Sequence, residues 1–154
     1  MGIKPEFGSG VILAKVEAFQ RNLDKAVLFM MKYLGEDLAK YAKEQHNYTD
    51  QTGNLTNSIG YAVVRNKEIV YYGGTNQPGV GADAALETAM KYAQDMQDTY
   101  SLIIVAGMNY AAYVEAKGYN VILPAELKAK KDFPAAMNRL MEKAKSKANE
   151  LFGI

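Results

Sequence analysis

Cysteine is absent from this chain, and that absence removes several function classes at once. Disulfide scaffolds, thiolate catalysis and cysteine-rich zinc sites all need a residue that is not there. Histidine is almost absent, His46 being the only one. Without a second imidazole, nucleophilic triads and the common transition-metal sites lack their parts. His46 falls at the end of a helical pattern, where capping against the helix dipole is its expected role. An excess of charge is missing too. The formal net charge is +1, so no global field draws the chain onto nucleic acid or an anionic membrane. The most apolar run, residues 26–34 (AVLFMMKYL), is interrupted by Lys32 and falls far short of the ~20 residues a spanning helix needs. Residues 1–7 carry no apolar signal-peptide region, so a soluble, cytoplasmic protein is expected. On that footing the glycosylation patterns at Asn47 and Asn54 are chance matches. Internal repeats and low-complexity tracts are also lacking.

What remains is an ordinary globular composition. The 154 residues are 49% apolar and 23% charged, enough to bury a core in one domain. Residues 1–10, with Pro5, Gly2, Gly8 and Gly10, read as a flexible arm, and residues 11–154 as a single α+β domain. From Val11 to about Gln45 an apolar stripe recurs at helical spacing, through Ile12, Val16, Phe19, Leu23, Val27, Met30, Leu34, Leu38 and Tyr41. Gly35 is a place for a kink or break. Such a helix is about 50 Å long at ~1.5 Å per residue, longer than one small domain needs. Part of its stripe is therefore expected to face something other than this chain's own core.

Residues 46–57 are turn-rich. Ser58 to Arg65 alternates so that Ile59, Tyr61 and Val63 share a face, Asn66-Lys67 forms a hairpin turn, and Glu68 to Tyr72 returns. Asp83 is the expected N-cap of a helix to about Asp98, with Leu86, Met90, Ala93 and Met96 inward. Tyr100 to Met108 (YSLIIVAGM) reads as a strand covered on both faces. A short helix at 111–116 stops at Gly118, and Tyr119 to Leu123 is a candidate fourth strand. Pro124 and Pro134 divide the rest into two helical pieces. The last runs to Phe152 and is expected to bury Phe133, Met137, Leu140, Met141, Ala144, Ala148 and Leu151. The fold class is thus α+β: a long N-terminal helix, a small, mostly antiparallel sheet of 3–4 strands, and further helices including a C-terminal one.

No constellation of catalytic type emerges. Gly79-Val80-Gly81-Ala82-Asp83-Ala84 matches G-x-G-x-x-A, but it is separated from the preceding strand, and Asp83 would repel a phosphate at that helix start. Glu36-Asp37, Asp95/Asp98 and Glu142/Glu150 lie among lysines on helices, where solvated pairing is the ordinary outcome. Lys128, Lys130, Lys131, Lys143, Lys145 and Lys147 make the C-terminal third basic. A solvated helix face accounts for them, since only Phe133 interleaves as the stacking surface of a nucleic-acid site would require. The eight methionines fall mostly at inward positions, and the eleven tyrosines concentrate around the strands. Tyrosine suits core edges and protein interfaces.

Two segments carry a resemblance. Thr52-Gly53-Asn54-Leu55-Thr56-Asn57-Ser58-Ile59 follows the long helix, and Asn109-Tyr110-Ala111-Ala112-Tyr113-Val114-Glu115-Ala116-Lys117-Gly118 follows the apolar strand. In this order they resemble the TG-x-L-x-x-S-I and YA-x-YVE-x-G blocks of neck (head–tail joining) and tail-completion proteins of long-tailed bacteriophages and prophages. The positions carried over are Thr52, Gly53, Leu55, Ser58, Ile59, Tyr110, Tyr113, Val114, Glu115 and Gly118, the last standing one residue beyond the block's glycine. In physical terms Thr52 can cap a turn, Leu55 and Ile59 point inward, and Glu115 can meet a Lys or a neighbour's basic group. This chain departs from the pattern at Ala116-Lys117-Gly118-Tyr119, and residues 76–99 read as an insertion carrying an extra helix.

The resemblance implies a structural virion protein without catalytic activity or cofactor. It would assemble as a ring-forming homo-oligomer with other phage head or tail proteins, first in the bacterial cytoplasm and then in the virion. Membrane contact is not expected, and direct nucleic-acid contact is not predicted. The alternative is a stand-alone protein- or nucleic-acid-binding module using the basic C-terminal helix. An enzyme built from Tyr, Lys and carboxylates or a bound Mg²⁺ is a third reading.

Overall fold

A computed structural model describes residues 9–50, 53–75, 80–108 and 111–153. Helix α1 spans Ser9–Glu44, a short α2 spans Asn54–Asn57, and strands β1 (Ile59–Arg65) and β2 (Glu68–Gly73) form a hairpin. Then come α3 (Val80–Ala93), β3 (Tyr100–Ala106), α4 (Ala111–Ala116) and α5 (Leu123–Phe152). The sheet is antiparallel in the order β2-β1-β3. The fold is α+β, with the long first helix, small sheet and C-terminal helix expected.

The sequence pattern explains the centre of the molecule. β1 lies between two partners, with Ile59 opposite Ala106 and Arg65 opposite Tyr100 on one side, and Val63 opposite Tyr71 on the other. Its alternate residues feed two cores. Ile59, Tyr61 and Val63 join Val27, Met31 and Leu38 of α1, while Ala62 and Val64 join Ala85, Ala89 and Ala93 of α3. The molecule is therefore layered, with α1 and α5 on one sheet face and α3 on the other. The hairpin turn falls at Asn66 and Lys67 as expected, both with positive φ (52° and 68°), the geometry that matches strand twist in two-residue loops.

Gly35 does not break α1. It lets the helix lie on the buried ring of Tyr61: a Cβ there would stand 2.2 Å from Tyr61 Cδ2 and 2.5 Å from Cγ. Close approach is the reason for glycine at this point. The phenol of Tyr61 in turn donates to Glu36 Oε1 at 2.7 Å, and burial, reinforced by Glu36, raises its pKa.

Several expectations are corrected. α1 begins at Ser9, inside the segment read as an arm; residues 1–8 lie outside the described residues. α3 begins at Val80, so Asp83 sits within its first turn and is not its N-cap. The face of α3 is also rotated: Ala82, Ala85, Ala89 and Ala93 are buried, while Leu86 (37%) and Met90 (57%) are exposed. Small residues let the helix approach the sheet, and the large ones are left outside. β3 ends at Ala106 and is an edge strand with only Val105 buried; β1 is the strand covered on both faces. No fourth strand forms at 119–123, because its backbone is engaged elsewhere. Asn120 N–H donates to Asn47 Oδ1 at 2.6 Å, and Ile122 and Leu123 donate to Glu115.

The two C-terminal pieces are one helix, α5, with Pro134 in its interior. Proline removes one helical hydrogen bond and ordinarily costs ~3 kcal/mol. Continuous packing against the core on both sides, through Ala125, Ala129, Phe133 and Leu140, offsets that cost. Met141 and Leu151, expected inside, are 37% and 40% exposed.

Candidate functional site

The residues of the two sequence blocks fall at the joints of the fold. Gly53 adopts φ 76° at the start of α2, a left-handed conformation natural to glycine. Leu55, Ser58 and Ile59 are buried. Ser58 Oγ donates to Leu55 O at 2.7 Å and accepts from Gly107 N–H at 3.0 Å, tying α2, β1 and the end of β3 together. Val114 packs against the core. Glu115 Oε1 accepts the N–H groups of Ile122 (3.1 Å) and Leu123 (2.6 Å). It thus caps the first turn of α5, where a carboxylate is favoured, instead of serving only as a lysine partner. Gly118 has φ 91° in the turn after α4. Thr52 and Tyr110 lie outside the described residues. Tyr113 lies in α4, its side chain outside what is described.

One capping residue escaped the sequence reading. Asp50 accepts from Gly53 N–H (3.0 Å) and Thr56 N–H (2.8 Å). Burial alone would push its carboxyl up, but the hydrogen bonds from Thr56 and Gly53, with a further one from the Leu55 backbone, outweigh it and hold the carboxyl below its ordinary range. The aspartate–glycine spacing, three residues ahead of a short helix, was the available signal. His46 meets its expected role: Nδ1 lies 2.5 Å from Lys43 O at the end of α1.

The carboxylates on α1 are not merely solvated. Asp24 receives the Tyr100 hydroxyl and, at 2.5 Å, Arg65 Nη1. The Tyr100 bond, followed by Arg65, holds the Asp24 carboxyl below its ordinary range. Tyr100 itself is pushed up to about 12 by burial and by Asp24. Lys128 binds Asp132 and, at 2.7 Å, Asp37, which raises its pKa. The C-terminal lysines are therefore unequal. Lys128 latches α5 to α1, and Lys130 and Lys147 make exposed pairs with Glu126 (3.4 Å) and Glu150 (3.7 Å).

Beyond these latches, the two long helices leave their own sheet. Every buried residue of α1 lies at Val27 or later, and α5 has none after Ala136. The free ends run antiparallel, with Phe19 and Phe152 edge to face at 5.8 Å. Between them lies a groove of about 710 Å³, lined by apolar residues that include Phe19, Ala26, Phe29, Met30, Leu140 and Leu151. Phe29 is 74% exposed and Tyr33 68%. The expected stripe itself is half-buried here, at Val16, Phe19, Leu23 and Met30, and what stands uncovered is Phe29 and Tyr33 beside it. The sequence signal for Phe29 and Tyr33 was the apolar run at 26–34, which surrounds the helix and asks for cover on two sides. All four charged side chains lining the groove are basic: Lys15, Arg139, Lys143 and Lys147.

Among the described residues, no helix is long and apolar enough to cross a membrane, and no group of three or more His, Asp or Glu side chains could hold a metal ion. No family model, curated protein or solved structure matches this chain.

Proposed function

We propose that this chain is a non-catalytic structural protein of a phage or prophage virion, acting at the head–tail junction or tail end by assembling with copies of itself and with other head or tail proteins. The observation that carries the reading is the uncovered α1–α5 groove. Exposed aromatic side chains gathered in one apolar furrow mark interaction sites more often than they occur by chance on a monomer. The two sequence blocks direct that assembly reading toward neck and tail-completion proteins. Their roles here agree with it: Gly53, Leu55, Ser58 and Glu115 hold α2, β1, β3 and α5 in register, leaving the long helices to meet partners. The protein would work in the bacterial cytoplasm during assembly and remain in the virion.

Two experiments test this. Genes for portal, capsid and tape-measure proteins should flank the coding sequence, and deleting it from an inducible prophage should yield unjoined heads and tails. Intact, infectious virions from the deletion strain would overturn the proposal. The alternative, a nucleic-acid-binding module, predicts a steep salt dependence of DNA binding that is lost on neutralising Lys143, Lys145 and Lys147.

A further inference from the structure

The α1–α5 groove needs an occupant, and its charge narrows the choice. A two-fold symmetric pairing of grooves would bring together two linings whose charged side chains are all basic, only partly offset where Lys147 meets Glu150 at 3.7 Å, which is repulsive. The complementary surface is an apolar helix ridge flanked by acidic residues.

One lies on the other side of this molecule. α3 packs its alanines on the sheet face away from α1 and turns Leu86 and Met90 outward. These two are one helical turn apart, and beside them on the outer face run Asp83, Glu87 and Lys91, all exposed, two carboxylates against one ammonium, so the face is acidic on balance and most so toward its N-terminal end. The lengths agree as well. The 14 residues of α3 extend about 21 Å, and the groove wall on α5, from Ala136 to Leu151, about 23 Å at ~1.5 Å per residue.

We infer that copies of this chain join head to tail, the outer face of α3 in one copy seating in the α1–α5 groove of the next. The inference rests on the assembly reading and deepens it. Leu86 and Met90 fill the furrow beside Phe29 and Leu140, while Asp83 and Glu87 meet Arg139 and Lys143. Because the two surfaces differ, each copy keeps one free groove and one free α3. Such a heterologous contact closes into a ring or extends as a filament, and it does not stop at a dimer.

The chain's lack of cysteine makes a clean test available. Met90→Cys and Ala144→Cys place single thiols on α3 and in the groove, and Ser146→Cys places one on the exposed outer side of α5 as a control. Each full-length variant is purified, and pairs are mixed and oxidised. The expected result is a mixed Met90→Cys/Ala144→Cys disulfide in roughly tenfold excess over either homodimer, as a pre-formed contact raises local concentration. The Met90→Cys/Ser146→Cys mixture should give no such excess. Glu87→Lys or Lys143→Glu alone should cut the mixed product roughly tenfold, and the two reversals together should restore it.

Preferential Ala144→Cys homodimers would overturn the head-to-tail contact while leaving assembly through the groove standing. Specific association that both reversals leave unchanged would overturn it in the same way. Random cross-linking at the control level in every mixture would overturn both this contact and self-assembly.

Discussion

Replacing Gly35 with alanine sets two effects of opposite sign against each other inside one helix. By propensity alone, Gly→Ala in a helix interior stabilises by about 1 kcal/mol. Against it stands the ring of Tyr61, whose Cδ2, Cγ and Cε2 would lie 2.2, 2.5 and 2.6 Å from the new methyl. Contact at Cγ, near the root of the side chain, cannot be relieved by swinging the ring tip. The ring is fully buried and anchored to Glu36 at 2.7 Å, so moving it also disturbs that bond. Overpacking of this kind costs about 1–3 kcal/mol, and a disturbed bond to a charged acceptor adds about 1.5–3 kcal/mol. The net expectation is a loss of about 1.5–5 kcal/mol, a fall of roughly 3–20 °C in Tm for a chain of this size. Thermal unfolding followed by circular dichroism measures it. Gly10→Ala is the internal control, because nothing lies within 4 Å of a Cβ there, and it should be neutral or slightly stabilising. Combined with Tyr61→Leu, Gly35→Ala should lose most of its penalty. A Gly35→Ala protein as stable as the parent would refute the close-approach account of α1 on β1.

Other expected outcomes follow from the joints of the fold. Ser58→Ala removes the buried hydroxyl that links Leu55 O to Gly107 N–H; urea unfolding should show a loss of about 1–3 kcal/mol, and an unchanged midpoint would contradict that role. Glu115→Ala uncaps α5 and should cost about 0.5–2 kcal/mol, with amide exchange accelerating at Ile122 and Leu123 before the rest of the helix. Hydrogen bonds hold the carboxyls of both Asp24 and Asp50 below their ordinary range in the folded chain. Their stabilisation is therefore present above the unfolded pKa and is lost as pH falls through the folded values. Asp24→Asn and Asp50→Asn should each flatten the acid limb of the stability curve, and an unaltered limb in both would sink that assignment.

Much of the fold was legible because its signals are periodic. The stripe from Ile12 to Tyr41 fixed the long helix, and Asn66-Lys67 between alternating runs fixed the hairpin. The errors share a physical cause, since tertiary packing chose between options that local pattern leaves open. Leu86 and Met90 look inward by hydrophobicity, yet the close approach of α3 to the sheet admits only alanines. Pro134 looks like a helix break, yet α5 packs on α1 on both sides of it. Residues 119–123 look like a strand, but Glu115 and Asn47 claim their N–H groups. For the candidate site, the surplus length of α1 was readable from the stripe. For the groove's exposed pair, Phe29 and Tyr33, the apolar run at 26–34 showed only that some side chains there need cover; which of them stay exposed depends on where α5 ends its cover. Of the motif residues, Leu55, Ser58 and Ile59 are buried, and the partner of Glu115 proved to be a helix end.

The central claim is that the groove between α1 and α5 is a surface for assembly, and sedimentation velocity of the full chain tests it most directly. Measured from about 1 µM to about 1 mM, the range over which interfaces of micromolar affinity fill, the protein should shift to species larger than a monomer. Phe29→Asp should abolish the shift with Tm unchanged, since that side chain is 74% exposed and contributes little to the fold. A monomer at every concentration, or association indifferent to Phe29→Asp, would contradict the account.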